Sequence, residues 1–136
     1  MRAESILLVR IFEYVCKYFI HMIEPTLYYE TINRNAILIR AKKPFYDWIN
    51  YVDPEFPVAD NEEGTVYLIK EVQTKQKIEN WLKKNFDQLF KNELNDYHTD
   101  ENDWPQKRTY KVFKEWFNVE ISSMIVDLQD TDVLKS

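Results

Sequence analysis

Apolar residues recur along the chain with two different periods, which predict helices and strands in a mixed order. Residues 4–22 read as a helix with a wide apolar surface, and such a surface predicts burial, a partner or an interface. Its charges argue against a membrane span and a signal peptide. Two alternatives stay open: a helix lying on a membrane surface, or a true start at Met22. The polar residues of this segment share one stripe: Arg10, Glu13, Lys17 and His21.

Four segments rich in β-branched and aromatic residues predict strands. The first two are 26–32 and 35–41, separated by Asn33-Arg34-Asn35. Asparagine tolerates turn conformations, so these two can form a hairpin, or a single strand can follow an extended arm. The other two segments are 65–72 and 119–128.

Three further helices follow from apolar spacing and from capping residues. Pro44 opens the first, and Asp53-Pro54 ends it at the start of a long irregular loop, 53–64. Thr74 caps a helix over 75–97, and Thr109 caps another over 109–117. The residues predicted to be buried on them are Phe45, Trp48, Ile49 and Val52, then Ile78, Trp81, Leu82, Phe86, Leu89, Phe90, Leu94 and Tyr97, then Tyr110, Phe113, Trp116 and Phe117.

This order predicts an α+β fold with a small, mainly antiparallel sheet of three to four strands and helices packed on one face. The predicted organisation is an apolar helical extension over 1–21, a single domain over 22–128 and a polar tail over 129–136. The other face of the sheet would need a cover, either the N-terminal helix or a second copy of the protein.

Composition excludes several classes of function. The single Gly64 leaves no glycine-rich phosphate loop, and the single Cys16 leaves no internal disulfide and no cysteine-cluster zinc site. A lone cysteine fits a reducing cytoplasm. With a net charge of −5, we expect no nucleic-acid partner. No motif for a cofactor is present, and we expect none.

The segment YHTDENDWP at 97–105 has a structural and a functional interpretation. In the first, Thr99 caps a short turn that begins with Asp100 and Glu101, and Trp104-Pro105 closes it. In the second, His98 and the neighbouring acids bind a divalent cation. The spacing matches no EF-hand or zinc motif, so we favour the turn and assign no metal residue.

The other candidate groups are weaker. Two basic groups can bind phosphate or an acidic partner, although solvated surface is the simpler interpretation. The same holds for the acids of the loop over 53–63 as a site for a basic partner. Cys16 and His21 do not share a helix face, so we expect no Cys–His dyad. The basic groups are Lys107, Arg108, Lys111 and Lys114, and Arg40, Lys42 and Lys43.

Residues 30–128 resemble a family of small bacterial proteins of unknown function. The motifs that carry the resemblance are Asn33-Arg34-Asn35, Pro44-Phe45 with Trp48, Tyr67-Leu68, Thr99-Asp100 with Trp104-Pro105 and Arg108, Trp116-Phe117, and Asp127-Leu128. The resemblance implies no activity. Members of that family begin shortly before the NRN segment, so residues 1–21 depart from the pattern, which favours the later start.

The leading hypothesis is therefore a cytoplasmic, non-enzymatic domain that binds a macromolecule, with an unknown protein as partner. Trp and Arg are typical of binding hot spots, so the predicted surface is the 97–108 connector with a partly exposed Trp104. A fully buried Trp104 would remove this surface. The rival is an enzyme or ligand-binding protein with a polar pocket beside the connector, and a homodimer through the open sheet face is a third alternative. The candidate binding residues are Arg34, Asp100, Glu101, Trp104 and Arg108.

Overall fold

The computed structural model describes the backbone of residues 2–23 and 30–136 and the side chains of residues 5–17 and 30–136. The chain divides into two compact units, one of residues 31–126 and the other of residues 1–30 with 127–136. The first part of the predicted strand over 26–32, and the side chain of His21, lie outside the described residues. The predicted division into 1–21, 22–128 and 129–136 stays a prediction.

Helix α1 spans Arg2–Ile23, which confirms the helix predicted from the apolar pattern of 4–22. Its large apolar side chains between Ser5 and Lys17 are exposed, each of them by more than half of its surface. Among the described helices, none combines the length and the hydropathy that crossing a membrane requires. The exposed residues are Ile6, Leu7, Leu8, Val9, Ile11, Phe12, Tyr14 and Val15.

The larger unit contains a three-stranded antiparallel sheet in the order β3-β2-β4. Its strands are β2 (Arg34–Ala41), β3 (Gly64–Lys70) and β4 (Phe117–Ser122). Helices pack on one face of this sheet. Alternate residues of β2, such as Ile37 and Ile39, are buried in the core on that face. The predicted α+β class is confirmed.

Of the two alternatives for the first two predicted strands, the hairpin is not formed by the described residues. Strand β1 (Glu30–Thr31) pairs with β5 (Val126–Asp127) in a separate two-stranded sheet, not with β2. Asn35, which a hairpin would place in the turn, lies in β2 and is fully buried. Its side-chain oxygen accepts from the Val72 N–H at 2.6 Å and its amide donates to the Ser123 carbonyl at 2.9 Å.

The strand predicted over 119–128 is also interrupted, because β4 ends at Ser122 and β5 begins at Val126. The Ser122 hydroxyl donates to the Met124 carbonyl at 2.9 Å and accepts from the Met124 N–H at 3.3 Å. This local pair of bonds replaces ladder bonds to a neighbouring strand, so the chain bends between the two strands.

The remaining helices are α2 (Lys43–Val52), α3 (Lys75–Tyr97) and α4 (Tyr110–Trp116). The predicted caps Thr74 and Thr109 are confirmed, since each hydroxyl accepts a backbone N–H three residues on at 3.2 Å. The predicted turn after α3 is a 3-10 turn over Glu101–Asp103. Asp100 caps it instead of Thr99, accepting the Asn102 N–H at 3.0 Å.

Four phenylalanines form the centre of the core between the sheet and the helices: Phe45, Phe90, Phe113 and Phe117. The Phe90 and Phe117 ring centroids are 5.2 Å apart, and those of Phe113 and Phe117 are 5.3 Å apart. Phe117 was predicted as the end of a helix but belongs to β4. The core therefore joins α2, α3 and α4 to the inner face of the sheet.

Candidate functional site

A cavity of about 320 Å³ lies where the inner face of the sheet meets α2 and the last turns of α3. We call it the Glu93 pocket. Three carboxylates and two tyrosines line it together with small or apolar residues, and none of the lining residues is Lys, Arg or His. The lining residues are Ile39, Ala41, Tyr46, Glu63, Gly64, Thr65, Glu93, Asp96 and Tyr97.

Glu93 is the most buried carboxylate of the pocket, with 6% of its surface exposed. It lies on the same face of α3 as the core residues Phe90 and Leu94, so the helix carries it into the interior. The Tyr67 hydroxyl donates to Glu93 Oε1 at 2.6 Å and accepts from the Asn92 side-chain amide at 2.8 Å. The carboxylate is therefore positioned by a hydrogen-bond chain that joins α3 to β3.

The electrostatics of the pocket are those of an uncompensated negative charge. Burial raises the pKa of Glu93; the hydrogen bond from Tyr67 opposes the rise, and the charge of Asp96 adds to it. Burial also raises the pKa of Tyr97, and the charges of Glu93, Glu63 and Asp96 raise it further. A cation in the pocket would relieve this repulsion.

The loop between α2 and β3 places Asp60 beside Tyr46, one of the lining residues. The Asn50 side chain holds the loop by donating to the Val58 carbonyl at 3.0 Å and accepting its N–H at 2.7 Å. Burial raises the pKa of Tyr46, and the charge of Asp60 raises it further. Asp60 Oδ1 also accepts the Glu62 N–H at 2.9 Å, and Glu62 has a left-handed backbone (φ 58°).

Gly64 closes the loop at the rim of the pocket. A Cβ at this position would lie 2.8 Å from the Ile39 carbonyl oxygen and 2.8 Å from the Leu38 side chain. Real side chains do not approach backbone atoms that closely, so the chain requires its single glycine here. From the sequence alone, Gly64 excludes phosphate loops, whereas its steric role at the rim depends on the fold.

The structure corrects the prediction for Trp104. Its side chain is 6% exposed, so the expected partly exposed Trp104 is wrong, and the surface that depended on it is not formed. Its indole N–H donates to the His98 carbonyl at 2.7 Å. His98 Nε2 lies 2.8 Å from Asp103 Oδ2, so the connector is closed by its own residues.

The other four predicted residues do not converge on one site. Arg108 donates from Nε to Asp87 Oδ1 at 2.7 Å and from Nη1 to the Pro105 carbonyl at 2.8 Å. Arg34 donates to the neighbouring Asn33. Asp100 caps the 3-10 turn, and Glu101 is exposed at its first position. None of the four lines the Glu93 pocket, to which the connector contributes Tyr97.

The predicted basic group at Arg40, Lys42 and Lys43 is not a joint patch. Arg40 pairs with Glu120 at 2.7 Å, Lys43 pairs with Asp47 at 2.7 Å, and Lys42 donates to the Lys114 carbonyl at 3.2 Å. Within the described residues, no three His, Cys, Asp or Glu side chains are grouped so that they could hold a metal ion.

Glu93 is not among the candidate residues predicted from the sequence. One signal was present, because Glu93 falls on the apolar stripe of α3 beside Phe90 and Leu94. A charged residue on a buried face needs a partner, and the partner Tyr67 lies 26 positions away in strand β3. The spacing within the helix therefore indicates that Glu93 is buried, but it does not indicate which residue Glu93 contacts.

Comparison of the chain with protein-family models, with curated proteins and with solved structures found no match. The resemblance of residues 30–128 to a family of small bacterial proteins therefore stays a prediction.

Proposed function

We propose that the protein is a non-enzymatic binding domain that receives a positively charged side chain of a partner macromolecule in the Glu93 pocket. One observation carries the proposal: Glu63, Glu93 and Asp96 share a cavity with Tyr46 and Tyr97, and no basic side chain lines it. Carboxylates and aromatic rings together are the groups that recognise ammonium and guanidinium.

The lining also supports binding in preference to catalysis. It contains no Ser, Cys or His to act as a nucleophile, and the one carboxylate whose raised pKa would suit a base, Glu93, already accepts a hydrogen bond from Tyr67. Glu93 is engaged by the Tyr67 hydroxyl at 2.6 Å, which fixes its orientation. A fixed, buried carboxylate is suited to hold a cation in one position.

The test is a titration of the isotope-labelled full chain with blocked single amino acids, followed by NMR. The probes are N-acetyl-lysine methylamide and N-acetyl-arginine methylamide, and the uncharged norleucine analogue is the control ligand. We expect saturable shifts of the Gly64 and Thr65 amides with the charged probes, because these residues line the pocket. The norleucine analogue should leave them in place.

Two charge-matched double variants make this test specific. Glu63→Gln with Asp96→Asn removes two lining carboxylates that are exposed, so the fold should tolerate the change. Glu79→Gln with Glu115→Gln removes the same charge from two exposed positions outside the lining. The first variant should lose the shifts and the second should keep them; equal loss in both would mean non-specific attraction and would overturn the proposal.

A small organic cation is the second candidate ligand. The cavity of about 320 Å³ favours it, since small-molecule sites begin near that size, roughly 300 Å³. Affinity distinguishes it from the first candidate: a small free cation such as putrescine or choline would then bind more tightly than the blocked lysine probe. Tighter binding of a lysine-containing peptide supports the macromolecular partner.

A further inference from the structure

Strand β3 forms one edge of the three-stranded sheet. The Lys42 N–H donates to the Trp116 carbonyl at 2.8 Å, in continuation of the β2–β4 register. In an antiparallel ladder, backbone groups face the two sides of a strand alternately. The even-numbered residues of β2 therefore bond to β4, and its odd-numbered residues bond to β3.

The register between β2 and β3 then decides which groups of β3 are left at the edge. Ile37 is opposite Tyr67 and Ile39 is opposite Thr65, so these odd-numbered residues of β3 bond to β2. The backbone N–H and C=O groups of Val66 and Leu68 point away from the sheet. An edge of this kind is a template for one more strand.

The edge carries few of the features that prevent such pairing. Between Gly64 and Ile69 it contains no proline and no charged residue, and Lys70 is the first charge along it. On the outer face, Val66 is 58% exposed and Leu68 is 46% exposed. An added strand would cover both side chains.

The two faces of the edge differ in chemistry. On the outer face an added strand would contact Val66 and Leu68, which are apolar. On the inner face it would lie beside Thr65, which lines the Glu93 pocket, and beside Tyr67, whose hydroxyl contacts Glu93 at 2.6 Å. Side chains alternate between the faces of a strand, so neighbouring residues of a ligand would meet opposite environments.

We propose that the partner is an extended polypeptide segment in which a Lys or Arg is flanked on both sides by apolar residues, and that it adds to β3 as a fourth strand. The basic side chain enters the Glu93 pocket while its two neighbours pack on Val66 and Leu68. This inference rests on the proposed function, and it adds that the basic side chain belongs to an extended segment of the partner. It is a known mode of peptide recognition in which the backbone supplies affinity and side chains supply specificity.

The experiment uses the full chain and the blocked peptide Thr-Val-Lys-Val-Thr. The matched control is Val-Thr-Lys-Thr-Val, which has the same composition but polar residues beside the lysine. We expect the first peptide to bind about tenfold more tightly than the second, because only the first places Val residues on the outer face. Hydrogen exchange of the Val66 and Leu68 amides should slow on binding, since both N–H groups become paired.

A Leu68→Pro variant supplies the matched control on the protein side. The Leu68 N–H points outward, so proline removes an edge donor without removing a bond to β2. Peptide affinity should fall while the blocked single lysine still binds. If this variant fails to fold, Leu68→Lys replaces it, because a charge on the outer face opposes both the apolar contact and the basic ligand.

Three results would overturn the inference, and they are distinguishable from one another. Peptide binding without slower exchange at Val66 and Leu68 would show that the pocket takes a side chain but β3 takes no strand; the proposed function would then stand alone. Protection of these amides without peptide, rising with protein concentration, would show that a second copy occupies the edge. Failure of the single lysine and of both peptides to bind would overturn the proposed function as well.

Discussion

Glu93 combines a structural cost with the binding role that we propose for it. Its carboxyl is buried against α3 and β3, and the pocket supplies a tyrosine hydroxyl as partner but no positive charge. Burial therefore raises its pKa above the ordinary value. A cationic ligand would supply the missing charge, so affinity for the blocked lysine probe should rise as pH rises through the Glu93 pKa.

The raised pKa of Glu93 also predicts a pH dependence of stability. A carboxyl whose pKa is higher in the folded state than in the unfolded state favours folding by protonation. This contribution is fully present when the pH is below the ordinary carboxyl pKa, near 4.5. That contribution is lost as pH rises through the folded-state pKa. Glu93→Gln should therefore gain stability relative to the wild type as pH is raised, in urea unfolding at several pH values. Glu79→Gln, at an exposed position of the same helix, should follow the wild type; parallel behaviour of both variants would contradict this account.

Arg108 was predicted to bind a partner, but its contacts in the structure are internal to the fold. It is 15% exposed and joins α3 to the connector through Asp87 and the Pro105 carbonyl. Burial alone would raise the Asp87 pKa, but the hydrogen bond and charge of Arg108, with Lys91, hold it below its ordinary value. This ion pair is structural, and nothing about it requires a ligand.

We expect Arg108→Ala to lower the free energy of unfolding by about 1–2 kcal/mol near neutral pH, from two lost hydrogen bonds of a charged group that is mostly buried. A depressed pKa contributes stability above the unfolded value and loses it as pH falls through the folded value. The deficit of the variant should therefore shrink below about pH 4. Lys91→Ala, which breaks a 3.4 Å exposed pair with the same Asp87, should cost much less.

At the scale of the elements, Asn35 fixes how the three strands meet. It sits at the start of the central strand and bonds to the backbone just past the ends of both neighbours, at Val72 and Ser123. Because Asn35 is fully buried, losing its side chain would leave the Val72 N–H and the Ser123 carbonyl without a hydrogen-bond partner, which is costly. The sheet is thus closed at this end by one side chain.

Asn35→Ala should destabilise the protein by about 2–4 kcal/mol, since it leaves a buried N–H and a buried C=O unpaired. Chemical denaturation followed by circular dichroism measures the change. Asn33→Ala is the matched control, because Asn33 is exposed and contacts its neighbour Arg34. A loss as small in Asn35→Ala as in Asn33→Ala would mean that water replaces these bonds.

At the scale of the whole molecule, stability rests on the aromatic cluster that joins three helices to the sheet. Phe90 is fully buried and its ring contacts those of Phe113, Trp116 and Phe117. If this ring were removed, the surrounding residues would relax only partly and a cavity would remain. Removal of the ring would weaken the packing of α3 against α4 and β4.

Phe90→Ala should lower the free energy of unfolding by about 3–5 kcal/mol, from lost burial and the cavity left behind. Domains of this kind are stable by about 5–15 kcal/mol, so a large part of the margin would disappear. Thermal unfolding of the variant should show a strongly lowered midpoint. Tyr51→Ala removes a ring that is 87% exposed and should leave the midpoint nearly unchanged.

The sequence by itself determined the helices of this protein. Apolar spacing and capping residues such as Thr74 and Thr109 predicted four helices close to their observed bounds, because helix formation depends on neighbours three and four positions apart. Turn chemistry located the connector but placed its cap at Thr99 instead of Asp100, since adjacent polar residues compete for the same N–H groups.

Tertiary structure decided strand pairing, burial and the candidate site. Asn35 was assigned to a turn, but its partners lie 37 and 88 positions away, and no local pattern contains them. Trp104 was expected at the surface, yet the fold buries it, and its indole N–H donates to the His98 carbonyl of the connector. The Glu93 pocket combines residues from β2, α2, a loop, β3 and α3, so only the packed chain brings its carboxylates together.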